Sequence, residues 1–336
     1  MRVKEDARKC SIFIGHASPT KRNPDGFAVS GTGFLVNLDV ENEGGFWAYL
    51  VTAAHVARRI GTDPFCLRLN RLPEHGGGSV LYPIDNANWL YHKQREIDVA
   101  ALLVDLPDWV DHTVMFASEF LNDARTEHFQ IGPGDAAYIV GLFALHAGTK
   151  RNLPVVYSGS IALMPSDEKI PVARDDGSGV DEIEAYLVEA HAIPGASGSQ
   201  VVVRPTIQFL TEDQEAKLDS LALAEGRDYL LGIWVANWPG TVSQPLATAM
   251  GLRRGVQVPI GMGLVIPAQR ILEVLVSKEA EAERKPLREQ QLLDRAAQPN
   301  AAPARSGPPT TADNPRHKEA FNSLVDAAAK KRPQDG

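Results

Sequence analysis

Short runs of β-branched and aromatic residues, each bounded by turn-forming residues, recur from position 10 to position 266 of this chain. Such residues suit a pleated, half-buried surface, whereas Gly, Pro, Asn and Asp favour turns. The pattern predicts strands over 10–14, 31–37, 46–52, 65–69, 79–84, 98–104, 136–141, 155–162, 185–189, 200–203, 229–235 and 263–266. We therefore expect an all-β fold of two sheet-rich units, separated by a polar connection around 107–132.

The pattern changes after position 266. Pro267 precedes apolar residues at helical spacing, and proline is favoured at the first position of a helix, so a helix is predicted to about Arg284. Residues 284–336 turn to Ala, Pro, Arg, Gln and Asn and are expected to be mostly disordered. Helical spacing also occurs over 210–227, in a polar insertion. It occurs again over 318–331, where a partner could dock, although a transient helix in a solvated tail is the favoured interpretation.

Composition excludes several classes of partner. A net charge of −8 and a pI near 5.6 provide no basic footprint for nucleic acid or for anionic membranes. No apolar run is long enough to span a membrane, and the charged N-terminus does not resemble a signal peptide. Cys10 and Cys66 form neither a disulfide framework nor a metal site, so we expect reduced thiols, no metal, no cofactor and a cytoplasmic protein.

A serine between glycines is the strongest chemical feature of the sequence. Ser197 stands in a Gly-Ala-Ser-Gly turn that can expose its hydroxyl while backbone N–H groups converge to hold an oxyanion. A serine hydroxyl is a weak nucleophile, so it needs a general base and a carboxylate that orients the base. His55, at the end of one predicted strand, and Asp98, at the start of another, supply them. Taken alone, His55 could be a packed core histidine, Asp98 a charge at a strand edge and Ser197 an ordinary turn residue.

Four motifs occur in the order typical of one peptidase family: GTGFLV at 31–36, LVTAAHV at 50–56, IDVA at 97–100 and PGASGS at 194–199. Together they resemble a chymotrypsin-type, trypsin-like serine peptidase of the bacterial intracellular or HtrA-related kind, without a PDZ domain. The resemblance covers about 8–283. It implies two antiparallel six-stranded β-barrels, 8–118 and 130–283, with the C-terminal helix in the second and the active site between them.

The resemblance also implies a role for each residue of the site. His55 would act as general base and then acid, Asp98 would orient it, and Ser197 would attack the peptide bond through an acyl-enzyme intermediate. The backbone N–H groups of Gly195 and Ser197 would form the oxyanion hole. The expected activity is that of a serine endopeptidase acting on proteins or peptides.

Several positions depart from the family pattern. Ala196 replaces an aspartate that pairs with a freshly cut N-terminus in digestive members, so the site is expected to form without N-terminal processing. Ser199 and Gln200 stand where glycine and proline are commonest. Val235 occupies a position where a hydroxyl residue often supports the aspartate, which would leave Asp98 one hydrogen bond short.

The resemblance implies a specificity pocket with His191 near its base and with Trp234 and Asn237 on its walls. Because no aspartate stands at the base, a strong preference for Lys or Arg is not expected. The histidine could favour an acidic or amide side chain, or it could simply be packed beneath the loop.

Two other classes of protein compete with the peptidase interpretation. An HGGG segment at 75–78 resembles the oxyanion loop of α/β-hydrolase esterases, but that fold needs a histidine after the serine, and only His317, in the tail, follows it. The remaining alternative is a peptidase scaffold that serves as a weakly active or inactive binding or sensing module. Such a module would use the tail as its partner contact. For an active peptidase, regulation by a protein partner, a closed pocket or operon-linked factors is expected, since unrestrained cytoplasmic proteolysis would be harmful.

Overall fold

The computed structural model describes residues 3–19, 26–40, 45–143, 148, 150–173, 179–191, 195–205, 228–241 and 257–297. The strands are β1 (Ser11–Ala17), β2 (Phe27–Val40), β3 (Gly45–Thr52), β4 (Phe65–Asn70), β5 (Ser79–Ile84), β6 (Leu90–Tyr91), β7 (Ala100–Leu103), β8 (Met115–Phe116), β9 (Ala136–Gly141), β10 (Val155–Leu163), β11 (Ile170–Ala173), β12 (Val180–Ile183), β13 (Tyr186–Glu189), β14 (Gln200–Val203), β15 (Tyr229–Thr241) and β16 (Gln257–Pro267). The helices are α1 (Glu5–Lys9), α2 (Ala54–Ile60), α3 (Asp123–His128), α4 (Ala268–Leu275) and α5 (Lys278–Ala297).

The second unit is a closed six-stranded barrel in the order β10-β13-β16-β15-β14-β9. All neighbouring strands in it are antiparallel. Its interior is filled by fully buried apolar side chains, among them Ile139, Val188, Val201 and Val265. The prediction of an antiparallel β-barrel in this half of the chain is confirmed.

The first unit contains the six predicted strands and two short ones, β6 and β8, that the residue pattern did not separate from their surroundings. They form one eight-stranded sheet in the order β5-β4-β1-β2-β3-β7-β6, with β8 added in parallel to β2. One apolar cluster joins the units, because Leu35 and Leu50 of the sheet share it with Ile233 and Ile266 of the barrel. The expected all-β architecture of two sheet-rich units is confirmed.

The predicted C-terminal helix is two consecutive helices, and the second continues past Arg284 to Ala297 with Pro286 inside it. Tertiary contacts explain why a proline-containing segment stays helical. Arg284 is 3% exposed and donates hydrogen bonds to the hydroxyl of Tyr49 and the carbonyl of Leu275. Residues 284–297 are thus helical where composition predicted disorder. The predictions for 210–227, 298–336 and the 318–331 helix lie outside the described residues.

Strand register brings two of the candidate catalytic residues to the same end of the sheet. Thr52, the last residue of β3, is paired with Ala100, the first residue of β7. His55 follows Thr52 by three residues, and Asp98 precedes Ala100 by two. Antiparallel pairing therefore places both side chains at one edge of the first unit.

Candidate active site

His55 and Asp98 form a close pair in which the carboxylate holds the histidine at two points. The Nδ1 atom of His55 lies 2.6 Å from Oδ2 of Asp98, and the backbone N–H of His55 donates to Oδ1 at 2.7 Å. Both side chains are about one-quarter exposed, at 23% and 24%, so the pair borders solvent rather than lying in the core. Two bonds to one carboxylate fix the orientation of the ring and direct its Nδ1–H toward Asp98.

The pairing also shows how Asp98 is supported without a hydroxyl residue at position 235. Both of its carboxylate oxygens accept a hydrogen bond from His55. Val235 is buried, and its contribution to the site is its carbonyl oxygen. Val235 led us to expect that Asp98 lacks one hydrogen bond, and the backbone N–H of His55 is a donor to Asp98 that this expectation did not include.

The Ser197 turn is shaped by two glycines with positive φ, Gly195 at +99° and Gly198 at +89°. The turn docks on strand β2 of the first unit. The backbone N–H of Thr32 donates to the carbonyl of Ser197 at 3.0 Å, and its hydroxyl donates to the carbonyl of Gly195 at 2.9 Å. These cross-unit bonds place the turn at the boundary between the two units.

The same docking brings Ser197 beside the helix that carries His55. A methyl group built on Gly31 would lie 2.8 Å from Val56, the residue after His55, and 3.3 Å from the carbonyl oxygen of Ser197. Only the missing side chain of Gly31 therefore lets the turn and helix α2 approach so closely. The structure thus pairs His55 with Asp98 and places the backbone of Ser197 close to helix α2. That the three side chains act as one triad stays a prediction.

The hydroxyl of Ser197 donates to the carbonyl of Val235 at 3.3 Å. In the part of the chain that the structure describes, it makes no hydrogen bond with His55. For the triad chemistry, Oγ must leave Val235 and donate to Nε2 of His55. Catalytic hydrogen bonds are often long or misaligned without substrate and tighten when the complex forms.

Two backbone N–H groups of the Ser197 turn are available to bind a ligand. Among the described residues, the N–H groups of Gly195 and Ser197 have no acceptor, whereas the neighbouring N–H of Gly198 donates to the carbonyl of Trp234 at 2.8 Å. Donors left unpaired in a preformed turn suit the developing charge of a tetrahedral intermediate. An oxyanion hole formed by these two N–H groups stays a prediction.

The residues that depart from the family pattern are all buried. Ala196 is 1% exposed and packs in the barrel core, so no charged group replaces the missing aspartate. Ser199 and Gln200 are fully buried. The Gln200 amide donates to the carbonyl of Ala7 in helix α1 and to the hydroxyl of Ser11. These bonds tie the N-terminal segment to strand β14, which follows the Ser197 turn.

Helix α1 was not predicted from the sequence. The signal was its charge order, with acidic residues in the first turn and basic residues in the last, which complements the helix dipole. The last carbonyls of so short a helix need donors from outside it. The Gln200 amide provides one for the carbonyl of Ala7.

The three residues proposed for the pocket have different environments. His191 is exposed, and its ring covers Gly261, where an added methyl group would lie 2.6 Å from Cε1. Asn237 is half-buried. Trp234 is 1% exposed, and its ring packs over Gly263, so its side chain belongs to the barrel core.

Both cysteines are free, and burial raises the pKa of the Cys10 thiol to about 12. Within the described ranges no His, Cys, Asp and Glu side chains cluster as a metal site, and none of the helices there has the length and apolar character to cross a bilayer.

No protein-family model and no curated protein match the sequence. Among solved structures, the HtrA-type protease AlgW with a decapeptide is similar at a TM-score of 0.41 and 17% identity, over 81% of this chain and 64% of the AlgW chain. The active form of the Rv3671c protease from M. tuberculosis is similar at 0.41 and 13% identity, over 80% of both chains. This chain spans less than two thirds of the AlgW chain.

Proposed function

We propose that this protein is a serine endopeptidase that hydrolyses peptide bonds through an acyl-enzyme intermediate. One observation carries the proposal: Asp98 holds His55 by two hydrogen bonds at the sheet edge where the Ser197 turn docks. A packed histidine or an ordinary glycine-serine turn does not require this combination. The chemistry needs a base, an orienting carboxylate and a nucleophile at one place.

In the proposed reaction, Nε2 of His55 takes the proton from Ser197 as Oγ attacks the peptide carbonyl carbon. The carbonyl oxygen becomes an oxyanion that accepts hydrogen bonds from the N–H groups of Gly195 and Ser197. His55 then gives the proton to the leaving amine as the C–N bond breaks. Water, deprotonated by the same ring, attacks the acyl-enzyme, releases the acid and regenerates the Ser197 hydroxyl.

A fluorophosphonate probe, which reacts with activated serine hydroxyls, tests the proposal directly. We expect the wild type to be labelled and Ser197→Ala to be unlabelled, because the nucleophile is gone. Ser199→Ala is the matched control. Its hydroxyl is two residues away and fully buried, and it has no hydrogen-bond partner among the described residues, so its loss should leave labelling intact. Labelling of Ser197→Ala, or no labelling of the wild type, would contradict a serine peptidase.

One observation favours the second candidate function, a binding or sensing module on the same scaffold. The Ser197 hydroxyl rests on the carbonyl of Val235 instead of on His55. An inactive module that binds peptides in the cleft predicts that the wild type binds a peptide aldehyde or boronate no more tightly than the parent peptide. An enzyme predicts tighter binding of the boronate, because boron adds the serine oxygen and mimics the tetrahedral state.

We extend the proposal to a peptide pocket with His191 at its base and Asn237 and the Trp234 segment beside it. A peptide-library cleavage profile is expected to show no strong preference for Lys or Arg, because an imidazole stands where a carboxylate would attract those cations. His191→Asp should raise cleavage after Lys and Arg by about tenfold or more, whereas the uncharged control His191→Asn should not. A strict Lys or Arg preference in the wild type would refute this pocket.

A further inference from the structure

A second histidine, His92, is buried more completely than His55 and uses both of its ring nitrogens. Its side chain is 0% exposed. Both backbone groups of Gln94 lie near Nδ1, the carbonyl oxygen at 3.3 Å and the N–H at 3.1 Å. Because the backbone fixes the direction of that N–H toward the ring, Nδ1 acts as the acceptor. Nε2 then carries the proton and donates to Oε2 of Glu273 at 2.8 Å.

His92 stands at the base of the loop that presents Asp98. Its backbone N–H donates to the carbonyl of Val99 at 3.3 Å, which closes the loop on the far side of Asp98. Inside the loop, Ile97 N–H donates to the carbonyl of Gln94 at 3.1 Å. Through the Gln94 bond, the ring of His92 thus anchors the segment that leads directly into Asp98.

The partner of His92 lies far away in the sequence, on helix α4. Glu273 also accepts from Arg270 at 2.8 Å, and Arg270 pairs with Glu184, just before β13, at 2.8 Å. Although burial opposes ionisation, the hydrogen bond from His92 and the charge of Arg270 lower the pKa of Glu273 below its ordinary value. Glu273 is therefore a charged acceptor at neutral pH, and hydrogen bonds to charged groups are the stronger ones.

We propose that His92 is a positioning residue that fixes the Asp98 loop to helix α4 and so sets the distance between Asp98 and His55. The proposal rests on the proposed function for its catalytic consequence, but the positioning itself is independent of activity. The reporter is the backbone N–H of His55, which donates to Oδ1 of Asp98 at 2.7 Å. If the loop loosens, this amide loses its acceptor and exchanges faster with solvent.

Two amide substitutions separate the two ring nitrogens of His92. The side-chain nitrogen of glutamine can reach the position of Nε2, so His92→Gln keeps a donor for Glu273. The side-chain oxygen of asparagine can replace Nδ1, so His92→Asn keeps an acceptor for Gln94 but loses Glu273. Glu273→Leu removes the same bond from the helix side and serves as a second route if His92→Asn folds poorly.

Hydrogen exchange of the His55 amide, measured by NMR, and the rate of fluorophosphonate labelling test the proposal together. In His92→Asn and Glu273→Leu we expect exchange at His55 to accelerate about tenfold and labelling to slow by a similar factor. His92→Gln keeps the bond to Glu273 but leaves the Gln94 N–H without its acceptor, so its exchange and labelling should lie between those of the wild type and of His92→Asn. The control is the amide of Trp234, which donates to the carbonyl of Ser199 in the barrel and should not change.

The outcomes discriminate between a local and a global effect. Unchanged exchange at His55 in both His92→Asn and Glu273→Leu would overturn the proposal. So would an equal acceleration at Trp234, because that would show general destabilisation. If the wild type is never labelled but the exchange pattern holds, the proposed peptidase activity fails and the positioning role of His92 stands.

Discussion

Replacing Asp98 with asparagine is expected to lower the rate of acylation by about 10⁴-fold while leaving the fold intact. The side-chain carbonyl of the introduced asparagine can still accept the backbone N–H of His55, which binds Oδ1 of Asp98 at 2.7 Å in the wild type. Its amide nitrogen, placed at the position of Oδ2, would donate to Nδ1 of His55 and force the ring proton onto Nε2. A ring protonated at Nε2 cannot take the proton of Ser197.

The measurement is the second-order rate of fluorophosphonate labelling, followed in parallel with thermal unfolding. Glu96→Gln is a matched control in the same loop, because it also removes one negative charge, and among the described residues the Glu96 carboxylate accepts a hydrogen bond from the side chain of Gln94 and not from His55. We expect Glu96→Gln to label within about twofold of the wild type, since exposed charges contribute little. If Asp98→Asn is labelled as fast as Glu96→Gln, the carboxylate has no role in orienting His55.

The strands could be predicted from local signals in the sequence, and the candidate triad residues could be proposed from the motifs that contain them. Turn residues bound the strands, and the Ser197 turn contains Gly195 and Gly198, which reach φ values of +99° and +89°. The pairing of Thr52 with Ala100 then brings His55 and Asp98 to one edge without further information. These features therefore follow from residue type and strand register.

Features that depend on contacts between distant segments could not be predicted. The bond between His92 and Glu273 joins residues 181 positions apart, and neither residue lies in a recognisable motif. Helix α5 continues through Pro286 because Ala280 and Arg284 are buried against other segments, and these contacts outweigh the helix-breaking tendency of proline. The composition of the segment reveals the proline but not the tertiary contacts that keep the helix intact.

The orientation of the Ser197 hydroxyl also lies beyond the sequence. The Ser197 hydroxyl donates to the carbonyl of Val235, whereas the proposed reaction requires it to donate to His55. Leaving Val235 costs roughly the energy of one hydrogen bond, about 1 kcal/mol. Substrate or a partner could supply that energy. The rate of labelling therefore measures how often the hydroxyl reaches His55, and the presence of the three residues alone does not fix that frequency.

Gly198→Ala is expected to destabilise the protein by on the order of 4 kcal/mol, among the largest effects of a single substitution. Gly198 has φ of +89°, and a methyl group there would lie 1.8 Å from the carbonyl oxygen of Thr32 and 2.5 Å from the hydroxyl oxygen of Thr52. Neither atom can yield easily, because Thr32 is in β2 and the Thr52 hydroxyl donates to the same carbonyl at 2.7 Å. The Ser197 turn must therefore move away from the first unit.

Chemical denaturation measures the loss, and Gly134→Ala isolates the contribution of backbone strain. Gly134 has a similar φ of +97° with nothing within 4 Å of the added methyl group, so its substitution should cost only about 1 to 2 kcal/mol. The difference between the two variants is the steric contribution of the docked turn. Because a displacement of roughly 1 Å at a catalytic group can cost about 100-fold in rate, Gly198→Ala should also lose most labelling by the probe. Equal destabilisation by both substitutions would show that the turn does not press against Thr32 and Thr52 as the structure places it.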